Sequence, residues 1–445
     1  MPMQGNDLIA VRDRVLAGIV HADFAGADPF DGLESGVFRL SGLGRFRMAR
    51  LAWLHAIKRG PRALRHIAII PALQNPKTLA LLLGAADGVR LCDVAGRLCR
   101  MQNEDGGWGY PFAWQARAFY VPRGASNAIV TSFAVDALMT GGIAPSDPVL
   151  HRAAGFLRGL WRDGYFAYVG QGDGEIHNAS LWAAWALHRI DPGNEISRKA
   201  VARVLAAQRS DGEWEYGTRL HHRFVDGFHT GYILDVLDRF RASGMVGLDD
   251  AIMRGYAFYR AECFDTTGRP RSFARRDGYV DCHAVAQAIG TLCRFGELPA
   301  AKKIADWACE ALFDAKRGVF FAGRGRFGVD RRNYMRWTQA WMVWALSIVI
   351  EKTTMTEALN PAQPLVFEHL DPARPEKEEA LRALSEGAFR DLFKVTRIEA
   401  QKMRVSGDMD ELYGLTRGLK TLQRIGGERG IVLRTGPVQF LHEQE

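Results

Sequence analysis

His177-Asn-Ala-Ser-Leu-Trp-Ala-Ala-Trp-Ala-Leu-His-Arg-Ile190, then Asp191-Pro-Gly-Asn194, then Glu195-Ile-Ser-Arg-Lys-Ala-Val-Ala-Arg-Val-Leu-Ala-Ala-Gln-Arg-Ser-Asp-Gly-Glu-Trp214, make up one unit of a repeat. The first segment is apolar nearly all round, which suits a helix enclosed by other helices. The second carries apolar residues at i, i+3/i+4 and i+7 with charges between them, which suits a helix with one face to solvent. The Asp-Pro-Gly-Asn break separates them. The unit closes on Gln208-x-x-Asp-Gly-x-Trp214, in which the glycine allows the positive φ that ends a helix and the aromatic folds back over the exposed carbonyls.

The same order recurs on both sides of this unit. Apolar helices begin near Lys77, Ile129, Ala179, His229, His283 and Thr338, about 50 residues apart, and amphipathic ones begin near Cys92, Leu150, Ser197, Asp249 and Ala301. A second copy of the closing motif stands at Gln102-Asn-Glu-Asp-Gly-Gly-Trp108, with weaker echoes at Asp163-Gly-Tyr165 and Arg317-Gly-Val-Phe320. Alternating enclosed and amphipathic helices in six pairs predict an all-α (α/α)6 toroid of helical hairpins, its inner helices forming the wall. Residues 1–60 are expected to be an N-terminal helical segment packing on the barrel, 61–355 the toroid, 356–376 a proline-marked linker and 377–445 a charged helical extension.

Composition narrows the function classes. With 445 residues and 47% hydrophobic content the chain can bury a large core, and its longest apolar run, Met342 to Ile350, is too short to span a bilayer. The first residues show no basic segment followed by an apolar run, so no signal peptide is read. Six cysteines without CxxC spacing suit buried thiols, and together these features predict a cytoplasmic protein. The net charge of +8 favours an anionic partner, but no zinc finger, RNP-like strand or dense basic block points to nucleic acid. An acidic polysaccharide or a sugar precursor fits better, with the C-terminal extension available to a protein partner.

Loop lengths give the toroid a direction. Connections from an enclosed helix to the next amphipathic one are short, whereas those returning run about 16 to 25 residues, as in Asn103–Asn127, Arg209–Asp226 and 314–335. Long loops in a compact domain are usually functional, and these collect where the inner helices present their N-termini. Polar residues recur there: Asn127, Glu175, His177, Asn178, Asp226, His229, Asp281, His283, Gln287, Arg336 and Gln339. Capping is one reading of Asn127, Asn178, Asp226 and Asp281. It does not account for His229, His283, Gln287, Arg336 or Gln339, which are costly in an apolar helix unless they face a wet cavity. The loops add Trp108, Tyr110, Trp114, Arg117, Tyr334 and Trp337, aromatic faces for sugar rings and guanidinium forks for carboxylates.

Several stretches resemble a known family: Asp28-Pro-Phe-Asp-Gly-Leu33, Leu73-Gln-Asn-Pro-Lys-Thr-Leu79, Trp108-Gly-Tyr-Pro-Phe-Ala-Trp114, His177-Asn-Ala-Ser-Leu181, Val225-Asp-Gly-Phe-His-Thr-Gly231 and Tyr334-Met-Arg-Trp-Thr-Gln-Ala-Trp341. These look like the signatures of VpsJ-like proteins of bacterial exopolysaccharide and capsule clusters, over residues 20 to 352. The resemblance implies an α/α toroid in polysaccharide biosynthesis and supplies no settled reaction. The Gln-to-Trp motifs resemble the QW repeats of squalene–hopene cyclases, where they are structural. The fold is shared with uronyl C5-epimerases and polysaccharide lyases.

Four readings of the chemistry follow. In the first, an enzyme acts at a uronic acid by epimerisation or elimination, with His229, His283 and Tyr334 as acid and base. Arg117 and Arg336 then hold the carboxylate, and Trp108, Tyr110, Trp114, Asn178, Gln287, Trp337 and Gln339 bind the sugar. In the second, Asp226 and Asp281, with Asp105 or Glu175, are the paired carboxylates of a glycosidase. The third is a non-catalytic glycan-binding or scaffold component. The fourth, a terpene cyclase, is disfavoured because no DxDD motif occurs and the loop face reads as polar. No cofactor and no metal site are assigned, the alternative being a divalent ion shared by Asp226, His229 and His283.

Overall fold

The computed structural model describes residues 5–85, 92–115, 120–172, 174–358, 381–382, 389–390, 393, 396–397 and 409–431. Contacts divide the chain into two compact units, Met1–Ile350 and Glu351–Glu445. In the first, α1 (Gly5–His21), α2 (Gly36–Leu40), α3 (Arg47–Arg59) and α4 (Arg62–Ile67) precede five hairpins. These are α5 (Pro76–Ala85) with α6 (Cys92–Arg100), α7 (Ala128–Thr140) with α8 (Pro148–Gly159), and α9 (His177–Ile190) with α10 (Glu195–Ala206). Then come α11 (Gly227–Ala242) with α12 (Asp249–Glu262) and α13 (Cys282–Arg294) with α14 (Leu298–Leu312). A π-helical turn, Met335–Ala340, leads into α15 (Trp341–Ala358).

The inner helices form a closed ring. α5 packs on α7, α7 on α9, α9 on α11 and α11 on α13, and the π-helical turn touches both α13 and α5. α1 contacts that turn and α14, so it takes the outer place beside the sixth inner element. Burial follows the sequence pattern. Residues Ala128 to Val135 of α7 are buried without a break, whereas the outer helix α8 buries only Leu150, Ala153, Ala154 and Leu157. The chain is an all-α (α/α)6 toroid in this unit, with strands of only two or three residues in the long connections.

The repeat motif acts as a staple between neighbouring pairs. Gln102 Nε2 donates to the carbonyls of Gly106 and Val149, and Gln208 Nε2 donates to those of Gly212 and Ala251. Each glutamine therefore ties the end of one outer helix to the start of the next. The indole N–H groups of Trp108 and Trp214 donate to Leu98 O and Val204 O at 2.7 and 2.9 Å. Gly106 and Gly212 have φ of +86° and +94°, and a Cβ on either would meet a carbonyl oxygen of the next outer helix at 2.3 Å. Only glycine fits there. Trp108 is fully buried in this staple and belongs to the core, which removes it from the expected sugar-binding set.

In the second unit the described residues include a helix at Met409–Glu428. Leu381, Phe389, Phe393, Leu419, Leu422 and Ile425 are buried, and Arg382 pairs with Glu428. Most of the linker expected at 356–376 and of the extension at 377–445 lies outside the described residues.

Candidate functional site

A cleft with about 710 Å³ of open space lies at the end of the ring where the inner helices start. It is lined by Phe30, Lys77, Tyr110, Phe112, Trp114, Ile129, Tyr168, Asn178, Tyr216, Phe228, His229, Tyr232, His283, Arg336 and Trp337. Nine of these fifteen are aromatic. The loop face is therefore less polar than the sequence suggests, because the polar residues at the helix starts spend themselves on caps and pairs.

Asp226 caps α11, accepting from the His229 backbone N–H at 2.8 Å with one oxygen, and meets His229 Nδ1 at 2.6 Å with the other. The i, i+3 spacing on one helical turn produces this pair. The carboxylate is buried, so it favours the tautomer with the proton on Nδ1 and leaves Nε2 as the imidazole's free lone pair. Tyr216 lies against the His229 ring at a centroid distance of 4.4 Å.

A second chain of proton-bearing groups begins one turn further along α11, at Tyr232, whose ring lies 6.1 Å from that of His229. Lys77 Nζ donates to Tyr232 Oη at 3.4 Å, and Tyr232 Oη meets His283 Nε2 at 3.0 Å. Lys77 is 2% exposed, sits 3.8 Å over the Phe133 ring, and has no carboxylate within ion-pair distance among the described residues. Burial, reinforced by the nearby Arg336 charge, pushes its amine well below the usual lysine range, against a weaker pull from Asp28. Burial, then Lys77, Arg336 and His229, push His283 well below the ordinary imidazole value. His283 is held between Phe228 and Trp341, stacked at 4.6 and 4.5 Å, and its Nδ1 finds no partner among the described residues.

Asn178 does not cap α9, whose cap is Ile176 with no side-chain hydrogen bond. Its Oδ1 is instead buried at the cleft with no partner among the described residues, and a buried polar group of this kind calls for a ligand or a water. Tyr110, Trp114 and Trp337 line the cleft as expected of aromatic platforms.

Other expected site residues are placed differently. Arg336 lines the cleft, but its Nε and Nη2 grip Asp28 at 2.7 and 2.9 Å, so the protein itself supplies the carboxylate. Burial opposes the Arg336 charge, and Asp28 more than restores it, raising the pKa above the usual value. Asp281 caps α13 and accepts from Trp337 Nε1 at 2.9 Å, and burial lifts its carboxyl to about 6. Neither Asp226 nor Asp281 lines the cleft.

Gln287 donates to Asp235 and Thr291 at 2.8 and 2.9 Å, in a buried network further along α11 and α13. Gln339 exchanges hydrogen bonds with the backbone of Phe320, and Tyr334 is buried with no partner for its hydroxyl among the described residues. None of these three lines the cleft. Arg117 lies outside the described residues. Asp105 accepts from Ser126 and the Gly107 N–H, and Glu175 pairs with Arg203 at 3.1 Å. No group of three His, Cys, Asp or Glu side chains among the described residues is arranged to hold a metal ion.

Lys77, Tyr232, Phe228 and Tyr168 were not singled out as site residues from the sequence. Lys77 carried a usable signal, a lysine at the head of an otherwise apolar helix. Tyr232 follows His229 by three residues and so shares its face.

Fold and cleft together define an (α/α)6 barrel with an aromatic, histidine-bearing cavity at its loop-rich end. No protein-family model matches the chain, and no curated protein matches it. Among solved structures it is similar to cellobiose 2-epimerase from Bacillus thermoamylovorans B4167, at 11% identity over 62% of this chain and 87% of that one, with a TM-score of 0.47. A D-mannose isomerase aligns at 9% identity over 63% of this chain and 87% of that one, TM-score 0.48. The ent-copalyl diphosphate synthase from Streptomyces platensis aligns at 15% identity over 67% of this chain and 54% of that one, TM-score 0.43. Likenesses this remote leave the chemistry to be argued from the cleft itself.

Proposed function

We propose that the chain is a carbohydrate-modifying enzyme that moves a proton at a sugar carbon next to a carbonyl or carboxyl group. The observation that carries this reading is the pairing of His229, oriented by Asp226 at 2.6 Å, with the Lys77–Tyr232–His283 relay on the same cleft. Epimerisation at such a carbon needs one group to take a proton and another to return it, each near neutrality. His229 is the base, because a carboxylate on Nδ1 strengthens Nε2 as an acceptor. The relay is the acid and stabilises the enolate oxygen. Tyr232, held protonated by its burial, donates its hydroxyl proton; hydrogen bonds from Lys77 and His283 support the tyrosinate that is left, and the proton taken by His229 returns to it through solvent to close the cycle. The aromatic walls stack on the pyranose faces and keep water out, and Asn178 accepts a sugar hydroxyl.

Within this reading an opened aldose or a uronate both supply the acidified carbon. The Arg336–Asp28 pair removes much of the positive charge that a carboxylate needs, which favours an aldehyde or ketone carbonyl over the uronate expected from the sequence. A place in exopolysaccharide synthesis rests on the VpsJ-like motifs. Glycoside hydrolysis is less well supported, since Asp226 and Asp281 are both engaged in caps and pairs away from the cavity wall. Carbocation chemistry would suit the aromatic walls, but no carboxylic acid is among the lining residues.

The test separates binding from turnover. His229→Asn and His283→Asn are expected to bind reducing sugars like the parent chain, followed by saturation-transfer NMR, while turnover falls at least a hundredfold. Equal sugar binding by all three proteins with no turnover by the parent chain would instead make the protein a glycan-binding component.

A further inference from the structure

Between residues 36 and 70 the sequence carries eight Lys or Arg and no Asp or Glu, while several of its largest apolar side chains face solvent. Leu40 is 91% exposed, Ile67 70% and Ile69 68%, with Val37, Leu43 and Phe46 also open. These are not scattered. The Gly36 N–H donates to Ile69 O, the Ser35 hydroxyl donates to Ala68 O at 2.6 Å, and the Gly36 backbone lies against the Ile69 side chain. Arg50 Nη1 holds the 43–45 turn through Gly44 O at 2.7 Å, and Phe38 packs beneath it on Trp53, 5.2 Å between stacked rings. These contacts bring α2, the 43–45 turn and the segment after α4 together, and each of the three carries exposed apolar side chains. Arg39 is 63% exposed at its side chain, and the Arg45 guanidinium lies 4.7 Å from the Phe46 ring.

A monomeric surface rarely leaves so many large apolar side chains open together. Asp31 pairs with Arg65 and Glu34 lies 3.8 Å from Arg39, so two of the eight cations are offset, and the remaining excess of positive charge among exposed Leu, Ile and Phe is the composition of a face that lies on an anionic membrane surface. Nucleic acid would use the charge but give the aliphatic tips nothing to bury in. No helix among the described residues is long and apolar enough to cross a membrane, so such a face would act peripherally. We propose that the patch carried by residues 36–69 docks on an anionic lipid bilayer. It stands next to the cleft: Arg50 Nε donates to Gln115 at 2.9 Å, beside the cavity-lining Trp114, and Phe30 lies just ahead of the 31–34 turn. Docking would therefore set the cleft near the membrane, where a lipid-borne glycan could reach it. The proposal does not depend on any chemistry in the cavity.

The experiment is sedimentation of the full chain with vesicles of phosphatidylglycerol and phosphatidylcholine, against phosphatidylcholine alone. The parent chain is expected to pellet with the anionic vesicles and to be released by salt. Arg39→Glu with Arg45→Glu should weaken binding by roughly 25-fold or more, at about fivefold for each lost arginine. Leu40→Ser with Ile69→Ser should abolish the part of the binding that survives high salt. All four positions are exposed, and unchanged melting curves would show that the variants fold. Equal binding to neutral vesicles, binding unaffected by either pair, or a homodimer broken by Leu40→Ser with Ile69→Ser would each overturn the proposal.

Discussion

Replacing Asp226 with asparagine isolates what the carboxylate does for His229. Asparagine caps a helix about as well as aspartate, and its Oδ1 can keep the 2.8 Å bond from the His229 N–H. Helix α11 should therefore start where it does now, and the unfolding free energy should fall by no more than the roughly 1.5–3 kcal/mol that a hydrogen bond to a charged group contributes. The charge facing His229 Nδ1 at 2.6 Å is lost. Hydrogen bonds to a charged group contribute roughly 1.5–3 kcal/mol, and at about 1.4 kcal/mol per tenfold this predicts a rate lower by about 10- to 150-fold. The assay is loss of the proton signal of a reducing sugar in deuterated water, with chemical denaturation run on the same preparation. A variant as stable and as fast as the parent would refute the role given to the dyad. One that is inactive because it no longer folds would show Asp226 to be structural. Asp226→Ala is the control that should lose the cap as well, at about 1 kcal/mol.

Three further outcomes are expected. Lys77→Met replaces a buried amine with an apolar side chain of similar length in a cage of Phe133, Tyr232 and Trp341. Melting should show equal or higher stability while turnover falls by about a hundredfold or more. Asp281 has a carboxyl raised to about 6 from 3.8, so the fold favours its protonated form. Its contribution is present below about pH 4 and lost as pH rises through about 6, a difference of at most about 3 kcal/mol. Asp281→Asn should flatten that part of the pH–stability curve measured by urea unfolding. Gly255→Ala places a Cβ 2.3 Å from the Trp214 ring, against the staple that joins two repeats. Differential scanning calorimetry should show a loss of about 1–3 kcal/mol, the range for overpacking.

The ring was legible because two periods coincide in the sequence, about 3.6 residues within each helix and about 50 between them, and because Gln208 to Trp214 repeats Gln102 to Trp108 with the same contacts. The end that holds the cleft was legible from loop lengths. Asp226 and His229 were each legible as site residues, and their three-residue spacing on one helical turn is what makes them a pair in the structure. What failed were inferences that needed a distant partner. Arg336 appeared free to grip a substrate carboxylate, but Asp28, 308 residues away, takes two of its N–H groups. Gln287 and Gln339 appeared to be cavity polar groups, but Asp235 and the Phe320 backbone satisfy them. Trp108 carried both a structural and a binding reading, and its burial against Leu98 O leaves the structural one. Lys77 was passed over for the opposite reason, although its place at the head of an apolar helix was a signal. A lysine at a helix start reads as surface until closure of the ring by the Met335–Ala340 turn encloses it.

The most direct test is to incubate the parent chain with aldoses, reducing disaccharides and uronates in deuterated water and follow each carbon-bound proton by NMR. Proton transfer in the cleft predicts deuterium at a single carbon next to the carbonyl or carboxyl, with the epimer or isomer appearing alongside. Glycan shortening without exchange, or binding of these sugars with neither exchange nor product, would contradict it.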